Sequence, residues 1–277
     1  MFAVFGALLL GLCFYDLVIT VIAPRGAGPL TDLICQFVSP LERRLKTGST
    51  GWLCLVAVVT AWPFLLWLGW WFIFLLEPGS VVQSQTNEAT NPLEKLYFVG
   101  YCLSTLGLGD YIPPSDRWRI ATNLVSFSGL GTITLAITYI IPVLSAATEK
   151  RQLADLVHDL FPSRTRTDRE PNRLFERLDN TVWPQLNLHT ERHLAYPILH
   201  NFSTRKKENS LALGLLKMHE SLRLLSPNAP VRNLLSALDR FLATIEADFV
   251  SLDAVEAQGA SEEAREKKLQ AFYEEWN

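Results

Sequence analysis

Charged residues are scarce in the first half of this chain. Residues 1–148 contain only 7 Lys or Arg and 8 Asp or Glu, whereas residues 149–277 contain 18 and 20. The shortage of charge excludes an ordinary soluble domain in the first half, and the charge-rich second half excludes a protein buried wholly in a membrane. The formal net charge is −3, and neither half has the basic excess that indicates nucleic-acid binding.

Cysteine is also scarce, and its placement excludes a disulfide framework. The polar half contains none, and three of the four lie in apolar segments while the other lies in a connecting loop. We expect thiols that pack as small apolar side chains. The four are Cys13, Cys35, Cys54 and Cys102.

Motifs typical of enzymes and ligand-binding domains are missing from the sequence. No glycine-rich dinucleotide loop follows a predicted strand, no calcium-binding loop occurs, and no hydrolase triad or pair of catalytic carboxylates stands out. The repeated arginines of a voltage sensor are absent from every apolar run. We therefore expect no enzyme, no organic cofactor and no voltage gating of that type.

Three apolar runs are long enough to cross a membrane, for which about 20 residues suffice. They are residues 1–23, 51–76 and 120–148, and the second is free of charge throughout. The first lacks the basic start and the clear cleavage site of a signal peptide, so we expect it to remain in the mature protein. The chain is predicted to be a multi-pass protein of the lipid bilayer.

The distribution of basic residues predicts the orientation of these spans. Loop 24–50 and the start of segment 149–277 are richer in Lys and Arg than segment 77–119. Because positive residues favour the cytoplasmic side, we expect the N-terminus and segment 77–119 outside, and the C-terminus in the cytoplasm. The compact size and the absence of targeting signals favour a prokaryotic inner membrane.

Apolar residues repeat at helical spacing within loop 24–50. This pattern predicts a helix lying on the inner membrane surface, and a loose loop with scattered apolar residues is the alternative. The residues concerned are Leu33, Ile34, Phe37, Val38 and Leu41.

Asp16 is the single charge within the first apolar run. A carboxylate in the hydrocarbon is costly unless it is paired or protonated. Two interpretations stay open. Asp16 serves a function such as pH or voltage sensing, or it makes a buried hydrogen bond to a neighbouring helix or lies near the interface.

A short helix is predicted between the second and third spans. Asn91 is a good N-cap, Pro92 suits the first turn, and Glu94 completes a pattern like a capping box. About 12 residues follow before the glycines, or roughly 18 Å of helix, which is too short to cross a bilayer. Such a re-entrant helix is tolerated only where its end is shielded by protein or lines a water-filled path.

The run Thr-Leu-Gly-Leu-Gly-Asp at residues 105–110 follows this helix. Alternating glycines permit backbone conformations that are closed to other residues, so that successive carbonyl oxygens point toward one axis. Four such segments around an axis form stacked rings of oxygens that replace the water shell of a cation. Helix C-termini aimed at the same axis add partial negative charge.

Segment 51–147 resembles the pore domain of the potassium channel superfamily. The resemblance rests on the run Ser-Thr-Leu-Gly-Leu-Gly-Asp-Tyr at residues 104–111, on the capped helix before it and on the two flanking spans. The usual filter of the family reads Thr-Val-Gly-Tyr-Gly-Asp. Leu106 in place of Val still supplies a carbonyl, whereas Leu108 in place of Tyr removes a ring that braces the filter. Similar Gly-Leu-Gly-Asp filters occur in the second pore loops of two-pore-domain potassium channels.

The resemblance implies a homotetrameric, potassium-selective channel with a filter formed by residues 105–109. Potassium is the transported ion, and its sites are formed by the first four of these residues. A weakly selective cation channel and a membrane-anchored sensor with a silent pore are the alternatives. The filter residues are Thr105, Leu106, Gly107, Leu108 and Gly109.

Further residues near the filter take their expected roles from the same resemblance. Asp110, Tyr101 and Tyr97 are expected to support the filter, with the Tyr101 hydroxyl bonded to Asp110. In the third span, Gly129 and Gly131 are candidates for a gating hinge, and close helix packing is the alternative. Pro142 is expected to kink the same helix lower down. The residues concerned are Tyr97, Tyr101, Asp110, Gly129, Gly131 and Pro142.

The predicted fold is an all-α membrane protein with a soluble helical C-terminal part. Residues 1–50 comprise the first span and the interfacial loop, residues 51–148 the pore domain, and residues 149–277 the cytoplasmic domain. Within the pore domain we expect an outer helix at 51–76, a pore helix and filter at 91–112, and an inner helix at 117–147.

The charged half shows helical periodicity but no recognisable ligand site. Residues 211–225 and 234–249 have apolar residues three and four apart, and Trp183-Pro184 indicates a break. All five histidines lie in this half, and His189 and His193 share a predicted helix face. Metal binding and proton sensing are the two hypotheses for this pair. An unknown cytoplasmic regulator is a further expected partner.

Overall fold

The computed structural model describes residues 2–23, 26–45, 51–161, 171–202, 210–225, 232–248 and 266–270. Within these ranges the chain is mostly helical, and its strands are limited to one short antiparallel pair. In chain order the first part comprises α1 (Phe2–Ile22), α2 (Pro29–Leu45), α3 (Gly51–Phe74), β1 (Val82–Gln83), α4 (Pro92–Leu103), β2 (Tyr111–Ile112) and α5 (Asp116–Leu160). The second part comprises α6 (Pro171–Arg177), α7 (Trp183–Ala195), α8 (Leu211–Leu225) and α9 (Arg232–Asp248).

Three of these helices, α1, α3 and α5, are long and apolar enough to cross a membrane. The prediction of an all-α membrane protein is confirmed. The helix predicted within loop 24–50 is present as α2, and it exposes the apolar side chains of Leu33 and Phe37. The chain folds into two compact units, Met1–Val38 with Leu53–Ile141, and Ser39–Trp52 with Pro142–Asn277.

Helix α5 is longer than the sequence led us to expect. We predicted an inner helix at 117–147, whereas α5 continues without interruption to Leu160 and passes through Pro142. Residues 149–155 read Glu-Lys-Arg-Gln-Leu-Ala-Asp, mostly good helix formers. The change from apolar to charged composition therefore marks a change of surroundings and not the end of the helix.

The second unit is built around the last turns of α5 and the helices α6 to α9. Helices α8 and α9 confirm the two predicted periodic segments, with α9 beginning two residues earlier than expected. The predicted break at Trp183-Pro184 coincides with the start of α7, although a single π turn at Leu178–Val182 joins α6 to α7 without a gap. Pro184 lies in the first turn of α7, where its missing N–H costs little. The fully buried side chains include Val157, Leu178, Leu186, Leu215, Leu238 and Phe241.

The end of α5 is fastened to the segment after α7. The Lys150 ammonium donates to the carbonyl oxygens of Leu199 (3.1 Å) and Phe202 (2.8 Å). The neighbouring Glu149 carboxylate lies 3.0 Å from the guanidinium of Arg192 on α7. The two charges that open the polar half of the sequence thus hold the second unit together.

In the first unit, α1 packs against α3 through small residues. A Cβ atom placed on Gly6 would lie 2.7 Å from the carbonyl oxygen of Gly69, so the two backbones touch. Such close approach of backbones is how helices associate where no water drives them together. No disulfide joins the cysteines, all of which lie in the described part of the chain, and Cys13, Cys54 and Cys102 are buried.

Asp16 is fully buried, and its carboxylate accepts four hydrogen bonds. Three come from the start of α2, namely the backbone N–H groups of Leu30 (2.8 Å) and Thr31 (3.0 Å) and the Thr31 hydroxyl (2.8 Å). The fourth comes from the indole of Trp62 on α3 (2.9 Å). Asp16 therefore caps the N-terminus of α2 from another helix, where the helix dipole favours negative charge. This geometry supports the interpretation of Asp16 as a buried hydrogen-bonded group.

Replacing Asp16 should destabilise the first unit. Asp16→Ala leaves two backbone N–H groups and one indole N–H buried without partners, and we expect a loss of about 3 kcal/mol or more in the free energy of unfolding. Asp16→Asn keeps an acceptor oxygen and should cost less. Thermal unfolding in detergent micelles measures the loss. Asp116→Ala, which removes an exposed carboxylate, is the matched control, and equal stability of the two alanine variants would contradict the capping role.

Candidate functional site

Helix α4 begins with the capping box that the sequence predicted. The Asn91 side chain accepts from the backbone N–H groups of Leu93 (2.9 Å) and Glu94 (3.0 Å), and the Glu94 carboxylate accepts from the Asn91 N–H (2.7 Å). The helix contains 12 residues, or about 18 Å, so it is too short to cross a bilayer. It leads directly to the glycine-containing segment 104–110.

Two tryptophans of α3 hold α4 by its backbone. The indole of Trp67 donates to the Leu96 carbonyl oxygen and that of Trp71 to the Pro92 carbonyl oxygen, both at 2.8 Å. Both the donors and the acceptors are four residues apart, so one helix face matches the other turn for turn. The sequence analysis did not find this role, although the i, i+4 spacing of Trp67 and Trp71 was a visible signal.

The far end of α4 rests on α5. The Ser126 hydroxyl donates to the Cys102 carbonyl oxygen (2.9 Å) in the last turn of α4, and the same oxygen also accepts from the Thr105 N–H (3.0 Å). A Cβ atom placed on Gly129 would lie 2.0 Å from the Leu103 carbonyl oxygen, whereas one on Gly131 would meet open space. The structure therefore supports the packing interpretation at Gly129. Gly131 and Pro142 stay candidates for a hinge or kink.

The backbone of residues 105–109, the predicted filter segment, alternates in the sign of φ. The φ angles of Thr105, Gly107 and Gly109 are +59°, +57° and +79°, whereas Leu106 and Leu108 between them have no positive φ. Such alternation is the geometry that turns successive carbonyl oxygens to the same side. Thr105 is β-branched, so its left-handed conformation costs about 1–2 kcal/mol. Residues 104–110 are all exposed in the single chain.

The expected hydrogen bond from Tyr101 to Asp110 is wrong. The Tyr101 hydroxyl donates instead to the carbonyl oxygen of Tyr111, at 2.7 Å. The Asp110 carboxylate turns back within its own loop and accepts from the Tyr111 backbone N–H (3.1 Å). Tyr101 still ties the last turn of α4 to the residue that follows the filter, but it does so through backbone.

Aromatic rings pack behind the filter segment. The ring of Tyr97 lies edge-on to those of Tyr101 (5.3 Å between centroids) and Tyr111 (6.0 Å), and Phe98 packs edge-on to Tyr101 (5.3 Å). Tyr97 also lies close enough to Asp110 for the two side chains to interact. Tyr97 and Tyr101, which the sequence analysis expected to support the filter, are thus in contact with each other.

A small β-structure fixes the exit of the filter segment. Strand β2, which begins at Tyr111, pairs in antiparallel register with β1, so that Val82 lies opposite Ile112. The Ser84 N–H donates to the Asp110 carbonyl oxygen at 2.8 Å. The filter segment is therefore held at both ends, by α4 before it and by this pair of strands after it.

The histidines of the second unit form a buried cluster. The ring centroids of His189 and His193 lie 5.8 Å apart, as do those of His193 and His200, and all three side chains are buried. Among the described residues no three His, Cys, Asp or Glu side chains are placed to hold a metal ion, so the metal hypothesis gains no support there. Burial, with the charges of Lys150 and Arg192, lowers the pKa of His189 to about 3, and burial holds the pKa of His193 well below its usual value.

Acid should therefore weaken the second unit. The unfolded chain binds a proton at His189 near pH 6.5, whereas the folded unit does so only near pH 3. Between these values the unfolded state holds more protons, so the free energy of unfolding falls as the pH falls, by up to about 1.4 kcal/mol per pH unit for this residue. Above pH 6.5 the residue has no such effect.

Urea unfolding of the full chain in detergent, followed by far-ultraviolet circular dichroism between pH 7.5 and 4.5, measures this dependence. His189→Leu should make the slope shallower, and His193 should account for part of what remains. Leu188→Ala, which shortens an exposed side chain on the same helix, should leave the pH slope unchanged. A slope that is the same in His189→Leu and in the unaltered chain would contradict the assignment.

Comparison with known proteins agrees with this geometry. Residues 52–146 match the family model described as "Ion channel". The chain is 28% identical over 247 residues to a Bacillus subtilis (strain 168) protein named "Uncharacterized membrane protein YdjJ", in an alignment covering 81% of this chain and 72% of that protein. No solved structure matches the chain significantly. The resemblance predicted from the filter motif is confirmed as a resemblance: residues 52–146 of this multi-pass membrane protein match the model of an ion-channel family with a two-span, potassium-channel-like pore domain.

Proposed function

We propose that the chain is a potassium-selective channel in which residues 105–109 of four identical copies surround the ion path. The observation that carries the proposal is the alternating backbone of Thr105, Gly107 and Gly109, which follows a capped re-entrant helix inside an ion-channel pore domain. A backbone of this kind offers a row of carbonyl oxygens to a cation that has lost its water.

Four copies are proposed because one chain supplies only one side of each ion site. A dehydrated cation needs oxygen ligands all around it, and residues 104–110 of a single chain face open space. Leu106 and Leu108 are also 63% and 53% exposed, which is unfavourable for apolar side chains next to an ion path unless other chains cover them. A closed ring of four chains meets both requirements.

The proposed ion sites are formed by the carbonyl oxygens of Thr105, Leu106, Gly107 and Leu108. Ions in adjacent sites repel one another, and this repulsion keeps each from being held too tightly to leave. Leu108 has no hydroxyl that could brace the filter from behind. The Tyr101 hydroxyl provides a brace instead, through its hydrogen bond to the Tyr111 carbonyl oxygen just after the filter, and this bond supports potassium selectivity in spite of the leucine.

In the proposed orientation the filter opens to the outside and residues 149–277 lie in the cytoplasm of a bacterial cell. The support comes from the basic residues of loop 24–50 and of the segment after the third span. Any hinge at Gly131 or Pro142 would then act on the cytoplasmic side of the filter, where α5 continues toward the second unit.

Gly107→Ala tests the filter assignment. The substitution puts a Cβ on a residue with φ of +57°, a backbone conformation that residues with a Cβ rarely adopt, so we expect the segment to distort and the potassium flux to fall at least about tenfold. Flux through liposomes carrying the purified protein measures it, with Gly109→Ala as a second variant. Gly11→Ala is the control, since Gly11 is helical and has open space at its Cβ position.

Normal potassium flux through Gly107→Ala would contradict the assignment of residues 105–109 as the filter. In the unaltered protein, the reversal potential in mixed potassium and sodium distinguishes a selective channel from a weakly selective one. Barium should block the flux. Absence of any flux would favour a membrane-anchored sensor with a silent pore.

Tyr101→Phe tests the brace behind the filter. The variant keeps the ring and its aromatic contacts and removes only the hydroxyl that donates to the Tyr111 carbonyl. The loss of one buried hydrogen bond is worth about 1 kcal/mol, so we expect the permeability ratio of potassium to sodium to fall about fivefold. Tyr15→Phe, at an exposed position on α1, should leave the ratio unchanged. Equal ratios in the two variants would remove Tyr101 from the filter support.

A further inference from the structure

Lys95 is a buried lysine that does not face the filter segment. It lies in the first turn of α4, and only 3% of it is exposed. Its ammonium donates to the carbonyl oxygen of Phe74 (3.1 Å) and to that of Glu77 (2.5 Å). Both acceptors belong to the C-terminal end of α3 and the turn that follows it. Lys95 thus extends from one helix to the end of another.

The end of α3 is suited to receive a positive charge. The last carbonyls of a helix lack partners within it and carry partial negative charge from the helix dipole. The charge of Glu77 interacts favourably with Lys95 as well. The ammonium of Lys95 on α4 therefore caps the C-terminal end of α3. The partial negative charge of that helix end compensates the positive charge of the lysine without a direct contact to a carboxylate.

Glu77 extends the same junction to a third helix. Its carboxylate accepts from the indole of Trp118 (2.7 Å) and pairs with the guanidinium of Arg117, both in the first turn of α5. The ring of Phe74 packs against Phe98 of α4 (5.4 Å) and against Trp118 (5.0 Å). Lys95 and Glu77 therefore join the C-terminal end of α3 to the first turns of α4 and α5.

We propose that Lys95 is a positioning residue for ion selection: its ammonium fixes α4 along its own axis and thereby sets the register of the filter segment. The proposal rests on the proposed channel function. Helix α4 is short and ends directly at the filter, so a shift of its first turn along the axis is passed to Thr105. The indoles of Trp67 and Trp71 hold α4 through neutral hydrogen bonds, whereas Lys95 supplies charged ones.

The experiment compares Lys95→Met, Lys95→Arg and the control Arg119→Met in the full-length protein in lipid nanodiscs and in liposomes. Arg119→Met also removes a cation from the same end of the pore domain, but Arg119 is exposed and bonds within its own helix and to the preceding loop. Hydrogen exchange at the amides of α4 reports its anchoring. The reversal potential in mixed potassium and sodium reports the filter.

Lys95→Met should speed exchange along α4 about tenfold or more, because a hydrogen-bonded charged anchor is lost. It should also lower the permeability ratio of potassium to sodium at least about fivefold. Lys95→Arg should change both less than Lys95→Met does, because it retains the charge and the donors although its planar guanidinium differs in shape from the buried ammonium. Arg119→Met should leave both unchanged.

Unchanged exchange in Lys95→Met overturns the anchoring whether or not the protein conducts. Faster exchange with an unaltered permeability ratio overturns the positioning role and leaves Lys95 as a structural cap. An effect of Arg119→Met on the permeability ratio equal to that of Lys95→Met would mean that loss of positive charge near the pore entrance causes the change, and it would overturn the positioning role of Lys95. If the unaltered protein shows no selective flux, the proposed function fails, and the exchange measurement still decides the anchoring.

Lys95→Gln replaces Lys95→Met if the latter fails to insert. It keeps a neutral donor near the Phe74 and Glu77 carbonyl oxygens and removes the charge. Both readouts should move in the same direction as for Lys95→Met, by a smaller factor. Unchanged values of both would overturn the proposal.

Discussion

A backbone that enters a membrane without crossing it must find every hydrogen-bond partner within the protein. In the proposed channel this constraint applies to α4, which is too short to cross a bilayer and leads directly into segment 104–110. Asn91 satisfies the start of α4, and Ser126 of α5 bonds a carbonyl at its end. The same solution recurs away from the filter. Asp16 of α1 caps the start of α2, and Lys95 of α4 caps the end of α3. Each of these caps except Asn91 comes from another helix, so satisfying a helix end also fixes where two helices lie.

This use of caps explains why the few charges of the first half are so placed. A buried carboxylate meets the positive end of α2, and a buried ammonium meets the negative end of α3, so both helix dipoles reduce the cost of burying the charge. Charges that serve in this way need no ion-pair partner within the hydrocarbon. Glu77 differs from Asp16 and Lys95, because its carboxylate pairs directly with a charged group, the Arg117 guanidinium, and also accepts from the Trp118 indole.

Local patterns in the sequence predicted local structure well. The capping box at Asn91 and the three apolar spans depend on neighbours a few residues apart, as does the periodicity of α8, and all are present. Contacts between distant segments were not predictable in the same way. Nothing near Asp16 in the sequence indicates that its partners are Leu30 and Trp62, and nothing near Tyr101 selects the Tyr111 carbonyl over Asp110. The choice depends on the path of the chain between the two segments, which periodicity does not contain. The length of α5 was underestimated because composition marks what surrounds a helix and says little about where it ends.

Thr105 shows where local preference and fold disagree. A β-branched residue resists a left-handed backbone, and the glycines at 107 and 109 do not, so the segment adopts its alternation at a cost concentrated in one residue. That cost is sustained only if both ends are held. On one side the Thr105 and Leu106 N–H groups bond the last carbonyls of α4, and on the other Ser84 bonds the Asp110 carbonyl. Helix α4 in turn is held by Trp67, Trp71 and Lys95. The alternating conformation of residues 105–109 is therefore not a property of the glycines alone, and it depends on anchors at both ends of the segment and along α4.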